Sequence, residues 1–394
     1  MIAKTFIFAD RGCHTAMDEA IQLCFSFPAV GRKKVTAAFD GGRIASDGGV
    51  MLLSQADARL GLCGRLAGAL ADNRDRVVHS LASIMRARVL AIACGYEDGN
   101  DLNSLRSDPA FKLACGSLPE SGLDLCSQPT VSRLENAPSL KDLVRLQRCL
   151  ADVYCQSYKS PPKAVVLDID DTVDVVHGHQ QLSLFNAHED ERCFKPIHVY
   201  DVATGRPAMV VLRPGKTPSG KEVRGHLRRL IRRIRTHWPD TAIAIRGDSH
   251  YGRPEAMTWC EANGIDYVFG LAPKAPLAAK VQEAAGAVRT GRAEKNATAI
   301  RGFTETMYAA KSWTIERRVA ARIEATPLGL DIRYVVANIE TGTPEWLYAE
   351  LYCARGQAEN LIKLHKTQLK SDRTSCRSHA PTKCGSSCIP PPIG

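Results

Sequence analysis

Several absences narrow the field before any motif is read. The 394-residue chain has no apolar run long enough to span a membrane, because Arg, Asp or Gly interrupts its longest hydrophobic stretches. It has no Cys-x-x-Cys pair: its 14 cysteines are scattered singly from Cys13 to Cys388. That pattern suits reduced, mostly buried thiols better than a disulfide framework or a structural zinc site. The closest two, Cys384 and Cys388, stand in a Pro-rich tail with no pair of histidines beside them. The N-terminus lacks the features of a secretory signal, since Asp10, Asp18 and Glu19 fall where its apolar segment and cleavage site would lie. The expectation is a cytoplasmic protein with no membrane partner.

What is present is an ordinary globular balance, with 44% hydrophobic and 24% charged residues, in a chain long enough for two or three domains. The formal charge of +10 favours a polyanionic partner through phosphate contacts and counterion release, although a solvated basic surface has the same composition.

The chain divides by pattern. Residues 1–38 read as a poorly specified leader. Residues 39–155 read as a mainly helical N-terminal domain: a Gly-rich turn region (FDGGRIASDGGV) precedes a helix over Met51–Leu60, and helical periodicity returns over His79–Ala93. There Leu81, Ile84, Met85 and Leu90 face a core while Arg86 and Arg88 stay solvated. The segment SQPTVSRLE begins with the Ser-x-Pro of a capped helix start. A helix entering a DNA groove begins this way, with Thr130, Ser132 and Arg133 at its tip, and so does an ordinary surface helix.

From Pro161 strands and helices alternate. Ala164–Asp170 is a continuous apolar run ending in acids, which suits a strand buried on both faces. Lys195–Val202 and Pro207–Arg213 form a hairpin around Ala-Thr-Gly-Arg. Gly220–Trp238 puts Leu227, Leu230, Ile231, Ile234 and Trp238 on one helical face and a dense set of arginines on the other. Strand Ala242–Ile245, helix Pro254–Ala262 and strand Tyr267–Leu271 complete residues 161–271. This order of three strands, helix, strand, helix, strand is that of a ribonuclease H-like α/β core. Residues 272–345 read as a strand-rich insertion, 346–378 as the segment of the last core helix, which runs from about Trp346 to Leu369, and 379–394 as an aberrant Pro-rich tail.

Three acids carry the chemistry. Asp168 and Asp170, two apart on a strand, point to one face, and Asp248 ends a strand beside them. Buried strands seldom end in bare carboxylates unless a cation meets them, and hard divalent ions take oxygen ligands. On the last helix Tyr352, Arg355, Glu359, Lys366 and Lys370 fall within an arc of about 60° at the helical repeat. Alone, that stripe would be a solvated face with an Arg355–Glu359 ion pair.

Together with the strand-end aspartates it is far more specific. The segments LDIDDTVDVVHGHQQ, IRGDSHYGRPEAMTWCEANGIDYVFGL and YCARGQAENLIKLHK resemble the DDE transposases of bacterial insertion sequences, in the group with the Tyr-Arg-Glu-Lys signature and most closely the thirteen-eighty-like family. The similarity runs from Phe39 to Ser378. It implies a ribonuclease H-like catalytic domain, a helical N-terminal domain that recognises terminal inverted repeats, and a strand-rich insertion before the glutamate.

By this resemblance the catalytic, metal-holding acids are Asp170, Asp248 and Glu359, with Asp168 the alternate first ligand. The cofactor is two Mg²⁺ ions roughly 4 Å apart, Mn²⁺ being able to substitute. Tyr352, Arg355, Lys366 and Lys370 would contact DNA, as would Arg133 and the arginines of the basic helix, Arg228 and Arg232 first among them. The partners implied are double-stranded DNA at the terminal repeats and at a target, and a second copy of the chain on paired ends, in a bacterial cytoplasm at the nucleoid.

Two rivals remain at this point. Val-Leu-Asp168-Ile-Asp170-Asp-Thr172-Val also resembles the first motif of haloacid-dehalogenase-type phosphatases, with Asp168 as nucleophile. That family's late acidic motif is incomplete here, because Gly252 stands where its second Asp belongs. The other rival is a transposase remnant that binds DNA without cutting it. The tail HAPTKCGSSCIPPPIG after Ser378 has no helical period, as a shifted reading frame would produce. The His177-Gly178-His179 stretch could hold a metal or simply pack as a loop.

Overall fold

The structure is a computed structural model that describes residues 27–35, 45–178 and 180–373. Most of the expected leader, His179 and the Pro-rich tail lie outside the described residues.

Among the described residues the fold opens with seven α-helices, α1 (Val50–Leu60), α2 (Leu62–Gly68), α3 (Leu81–Ala93), α4 (Leu102–Leu105), α5 (Pro109–Ala114), α6 (Gln128–Asn136) and α7 (Leu140–Gln156). Their starts follow sequence. Ser80 caps α3, Asp108 caps α5 ahead of Pro109, and Ser139 with Asp142 forms a reciprocal capping box on α7. Gly61, at φ 64°, ends α1 in the left-handed conformation that glycine adopts without strain, and α2 begins at once. Leu66, Ile84, Met85, Leu90, Leu102 and Phe111 fill the helical core. Arg88, expected in solvent, is buried instead: Glu135 and the carbonyls of Tyr96 and Glu97 satisfy its guanidinium. Helical spacing alone could not reveal those distant partners.

The α/β part begins with β1 (Ala164–Asp171). A small sheet of β2 (Asp174–Val175), β3 (Leu184–Asn186) and β4 (Glu191–Phe194) follows, in the order β2-β4-β3. The sequence suggests no strands here, because two to four residues are too few to show a period. Then come β5 (Ile197–Asp201), β6 (Arg206–Val211), α8 (Gly220–His237), β7 (Ala242–Gly247), α9 (Pro254–Ala262) and β8 (Asp266–Leu271). The main sheet runs β6-β5-β1-β7-β8, with β5 antiparallel to both its neighbours β1 and β6, and β7 and β8 parallel to β1. This is the ribonuclease H-like core.

Helices α10 (Ala275–Lys280) and α11 (Gln282–Glu294) lead to a meander of β9 (Ile300–Tyr308), β10 (Arg317–Thr326) and β11 (Gly329–Ala337). The meander does not stand apart. Strand β11 pairs antiparallel with β8, so the inserted strands extend one sheet to eight.

The last segment departs from the single helix expected over Trp346–Leu369. Trp346–Tyr352 is a wide helical turn and Cys353–Arg355 a tight one; only α12 (Gly356–Leu369) is regular. Tyr352 and Arg355 therefore do not share the straight α-helical repeat assumed for the stripe.

The two faces of the sheet differ. Odd-numbered β1 residues Val165, Leu167 and Ile169 join the core formed with α7, α8 and α9. Even-numbered Asp168 and Asp170 face the segment of Trp346–Arg355 and α12, where they meet Arg246 and Arg355. Helix α7 belongs to both cores: Leu143, Leu146 and Cys149 pack among the helices, and Ala151, Tyr154 and Cys155 on the sheet.

Candidate active site

Strand β1 delivers three carboxylates to one end of the sheet, each to a different environment. Asp168 is fully buried and held by Arg246, its neighbour in register on β7. Arg246 Nε donates to Oδ1 at 2.5 Å and Nη2 to Oδ2 at 2.8 Å, while Nη1 reaches the Leu351 carbonyl at 2.7 Å. Burial pushes the Asp168 carboxyl up, with Arg246 opposing. Both Asp168 oxygens are thus engaged within the protein.

Asp170 has the weaker compensation. Arg355 Nη2 donates to its Oδ2 at 3.2 Å, and its Oδ1 accepts the Asp171 backbone N–H at 2.9 Å. Burial pushes this carboxyl up to about 7; Arg355 opposes the shift and Asp248 adds to it. Asp248 follows β7 and accepts the His250 backbone N–H at 2.8 Å. Its side chain is 29% exposed, with His250 Nδ1 at 3.6 Å from Oδ2. Glu359 lies in the first turn of α12, 64% exposed, and Arg355 Nη2 approaches its Oε1 at 3.4 Å. One guanidinium therefore bridges Asp170 and Glu359.

Lys366 pins the exit of β1. Its ammonium donates to the Val173 carbonyl at 2.7 Å and the Thr172 hydroxyl at 3.3 Å, and pairs with Asp174 at 3.2 Å. Burial pushes Asp174 up to about 7 against that pull. Arg355 and Lys366, expected on DNA, are here bound to the protein's own groups. Tyr352 is half-buried and packs toward β8: a Cβ on Gly270 would stand 2.7 Å from its hydroxyl and 2.9 Å from the Ser249 nitrogen. Lys370, at φ 51°, closes α12 and faces the cleft.

A cleft of about 520 Å³ opens here, with Asp170, Thr172, Glu359, Lys366, Lys370 and Asp372 in its wall; Asp248 is not part of that wall. Sequence reading missed a supporting layer behind the acids. Asp171 accepts the Tyr251 hydroxyl at 3.1 Å and has Lys195 at 3.6 Å and His250 at 3.8 Å. The only signal in the sequence was the acid run Asp168–Asp171 itself.

The oxygen donors suit a hard divalent cation, and the raised carboxyl of Asp170 marks a buried acid without full compensation. Their present spacing is another matter. Among the described residues no three His, Cys, Asp or Glu side chains converge closely enough to hold a metal ion, and the span from Asp170 to Glu359 is taken by Arg355. His177, the described histidine of the His-x-His stretch, is exposed and belongs to no such group.

The expected basic contacts sort into two kinds. On α8, Arg229 bonds His226 at 2.9 Å, Arg233 grips Asp152 of α7, and Arg235 donates to the carbonyls that follow the helix. Arg228 and Arg232 are exposed, with no ion-pair partner among the described residues. Arg133 is exposed on α6 and lines a second groove with Arg76, Lys141 and Arg145. The nine described cysteines are free, seven of them buried, in keeping with unpaired structural thiols. No described helix is long and apolar enough to cross a membrane.

Among curated proteins none matches the chain. A solved structure titled piggyBac transposase synaptic complex with hairpin DNA is similar at 10% identity and a TM-score of 0.44, over 83% of this chain and 73% of that one. The sequence model of the family described as Transposase DDE domain group 1 matches residues 27–384, most of the chain, and the protein belongs to that transposase family.

Proposed function

We propose that the protein is the transposase of a bacterial insertion sequence, cutting DNA at terminal inverted repeats and joining the freed 3′ ends to a target. The observation that carries the reading is the meeting of Asp170, Arg355 and Glu359 at one cleft, from opposite ends of the catalytic sequence, with Asp248 close enough to raise the Asp170 carboxyl. Asp170, Asp248 and Glu359 would hold two Mg²⁺ ions, or Mn²⁺ in their place. When bound, such ions activate the attacking oxygen and stabilise the leaving oxygen of a phosphodiester.

The chain's own residues do the rest. Asp168 and Arg246 form a paired brace that fixes β1 to β7 and to the carbonyl of Leu351, and this engagement favours Asp170 as the first ligand. Lys366 holds the β1 exit so that Asp170 keeps its place. Arg355 must leave the acids before they can share a cation. A DNA phosphate offers its planar fork an equivalent bidentate partner, so substrate entry would supply the exchange. Tyr352 and Lys370, beside the same cleft, would then meet the DNA strand, and the chain would work as a homodimer on paired ends.

The test is a Mg²⁺-dependent cleavage and strand-transfer assay on candidate end sequences. Glu359→Gln and Asp248→Asn should each lower the rate by about a thousandfold or more, as expected for losing several kcal/mol of transition-state stabilisation. Cleavage that persisted in either variant would remove the proposed acid set. One observation favours the second reading, a protein that binds ends without cutting: Arg355 already neutralises two of the three acids. Calorimetric titration with Mn²⁺ separates the two, because an enzyme gains ion binding when end DNA is present and a mere binder does not. The phosphatase reading fares worse, since both oxygens of its required nucleophile, Asp168, are held by Arg246, and β1 lies antiparallel to β5.

A further inference from the structure

Helix α8 carries six Arg residues and Lys221 on 18 positions, with one acid, Glu222, which is already bound to Arg213. Three of the arginines bond within the fold, as described. The others, Lys221, Arg224, Arg228 and Arg232, are exposed and have no ion-pair partner among the described residues. At the helical repeat these four fall within an arc of about 80° and span about 16 Å. An ordinary solvated helix face alternates signs, whereas here Arg224, Arg228 and Arg232 succeed one another at four-residue steps. Each such like-charge step opposes helix formation, and no acid among the described residues pairs with these cations to offset it.

The stripe also lies on the wrong side for the cleft. Val223, Leu227, Leu230, Ile231 and Ile234 bind α8 to the face of the sheet that holds Val165, Leu167 and Ile169, while Asp168 and Asp170 face α12 across the sheet. The helix starts near the acid end, where Glu222 meets Arg213 beside Lys195, and runs away from it. A straight duplex entering the cleft leaves this stripe free.

We infer that the exposed stripe of α8 holds the phosphate backbone of a second DNA duplex, separate from the one whose strand enters the cleft. Duplex DNA carries about one charge per 1.7 Å of axis, so 16 Å of it offers more than enough phosphates for four cations. The inference rests on the transposase reading for the identity of the first duplex.

The experiment counts duplexes on the full-length protein without metal, by native mass spectrometry and by binding of a labelled duplex after the first is saturated. The wild type should bind two per chain, and Arg224→Gln/Arg228→Gln/Arg232→Gln one. The salt slope of binding for the second duplex should fall by about 2.7 in the triple variant, roughly 0.9 per lost phosphate contact. The corresponding triple Lys variant should keep the second duplex, and the Gln variant should melt no lower than wild type, since it loses only repulsion. A wild type that binds a single duplex, or a Gln variant that still binds two, overturns the inference. Absence of Mg²⁺-dependent cleavage in the wild type would sink the transposase reading while leaving the duplex count intact.

Discussion

At the scale of single residues the site is a set of buried charges with unequal compensation. Arg246 and Asp168 are both buried and bonded through two contacts, so removing one partner strands the other. Arg246→Met should cost about 3–5 kcal/mol in urea unfolding, and Arg246→Met with Asp168→Leu should recover most of it, because an apolar pair of similar volume replaces a buried ion pair at little cost. Asp170 and Asp174 govern the pH dependence. Each is pushed up to about 7 by burial, well above the unfolded value near 3.9, so the folded state binds their protons more tightly. Metal-free stability should therefore fall as pH rises from about 4 to about 7. Asp170→Asn should remove about half of that fall, melting above wild type near pH 8 and with it near pH 4; a variant that melted lower at high pH would contradict the account. Gly270 is a quieter case. Gly270→Ala puts a methyl where the Tyr352 hydroxyl and the Ser249 nitrogen now sit, so the loop carrying Asp248 must shift. End cleavage should drop by about a hundredfold, the cost of a displacement near 1 Å at reacting groups, with the melting temperature changed far less.

At the scale of elements, legibility followed length. Helix α8 and strand β1 were plain in the sequence, since eight or more residues display a full apolar face. The two- to four-residue strands of β2, β3 and β4 have no room for a period. The stretch Trp346–Arg355 was misjudged for another reason. Spacing arithmetic assumes a constant turn, and here a wide turn is followed by a tight one. Glu359, Lys366 and Lys370 do line one cleft, but the constant repeat assumed for Tyr352 and Arg355 does not hold. Lys366 helps fasten α12 to the sheet, beside buried His365 set edge-on to His198 of β5, and its three contacts are all to residues 172–174 at the β1 exit. Lys366→Met leaves Asp174 buried and unpaired, and should destabilise the protein by about 3–5 kcal/mol. Adding Asp174→Asn should restore most of the stability but not cleavage, which needs the tether; full recovery of both would show that Lys366 serves only as a counterion.

At the scale of the whole molecule, the ribonuclease H-like order could be read because its strands and helices alternate along the chain. The joining of β11 to β8 could not, since pairing between distant strands leaves no local mark. The burial of Arg88 was hidden for the same reason. Helix α7 shows how closely the parts are joined. Its first half packs among the helices, and Tyr154 on its second half meets Trp238 of the sheet core with ring centroids 5.3 Å apart. A fragment cut after Gln156 would present Ala151, Tyr154 and Cys155 to water, and the remainder would lose its lid over that indole. Halves produced separately should precipitate, and halves produced in one cell should elute together in size-exclusion chromatography as a nicked whole. Dissection of this protein by truncation would thus report on solubility, and its separate duties are better parted by point changes in the intact chain.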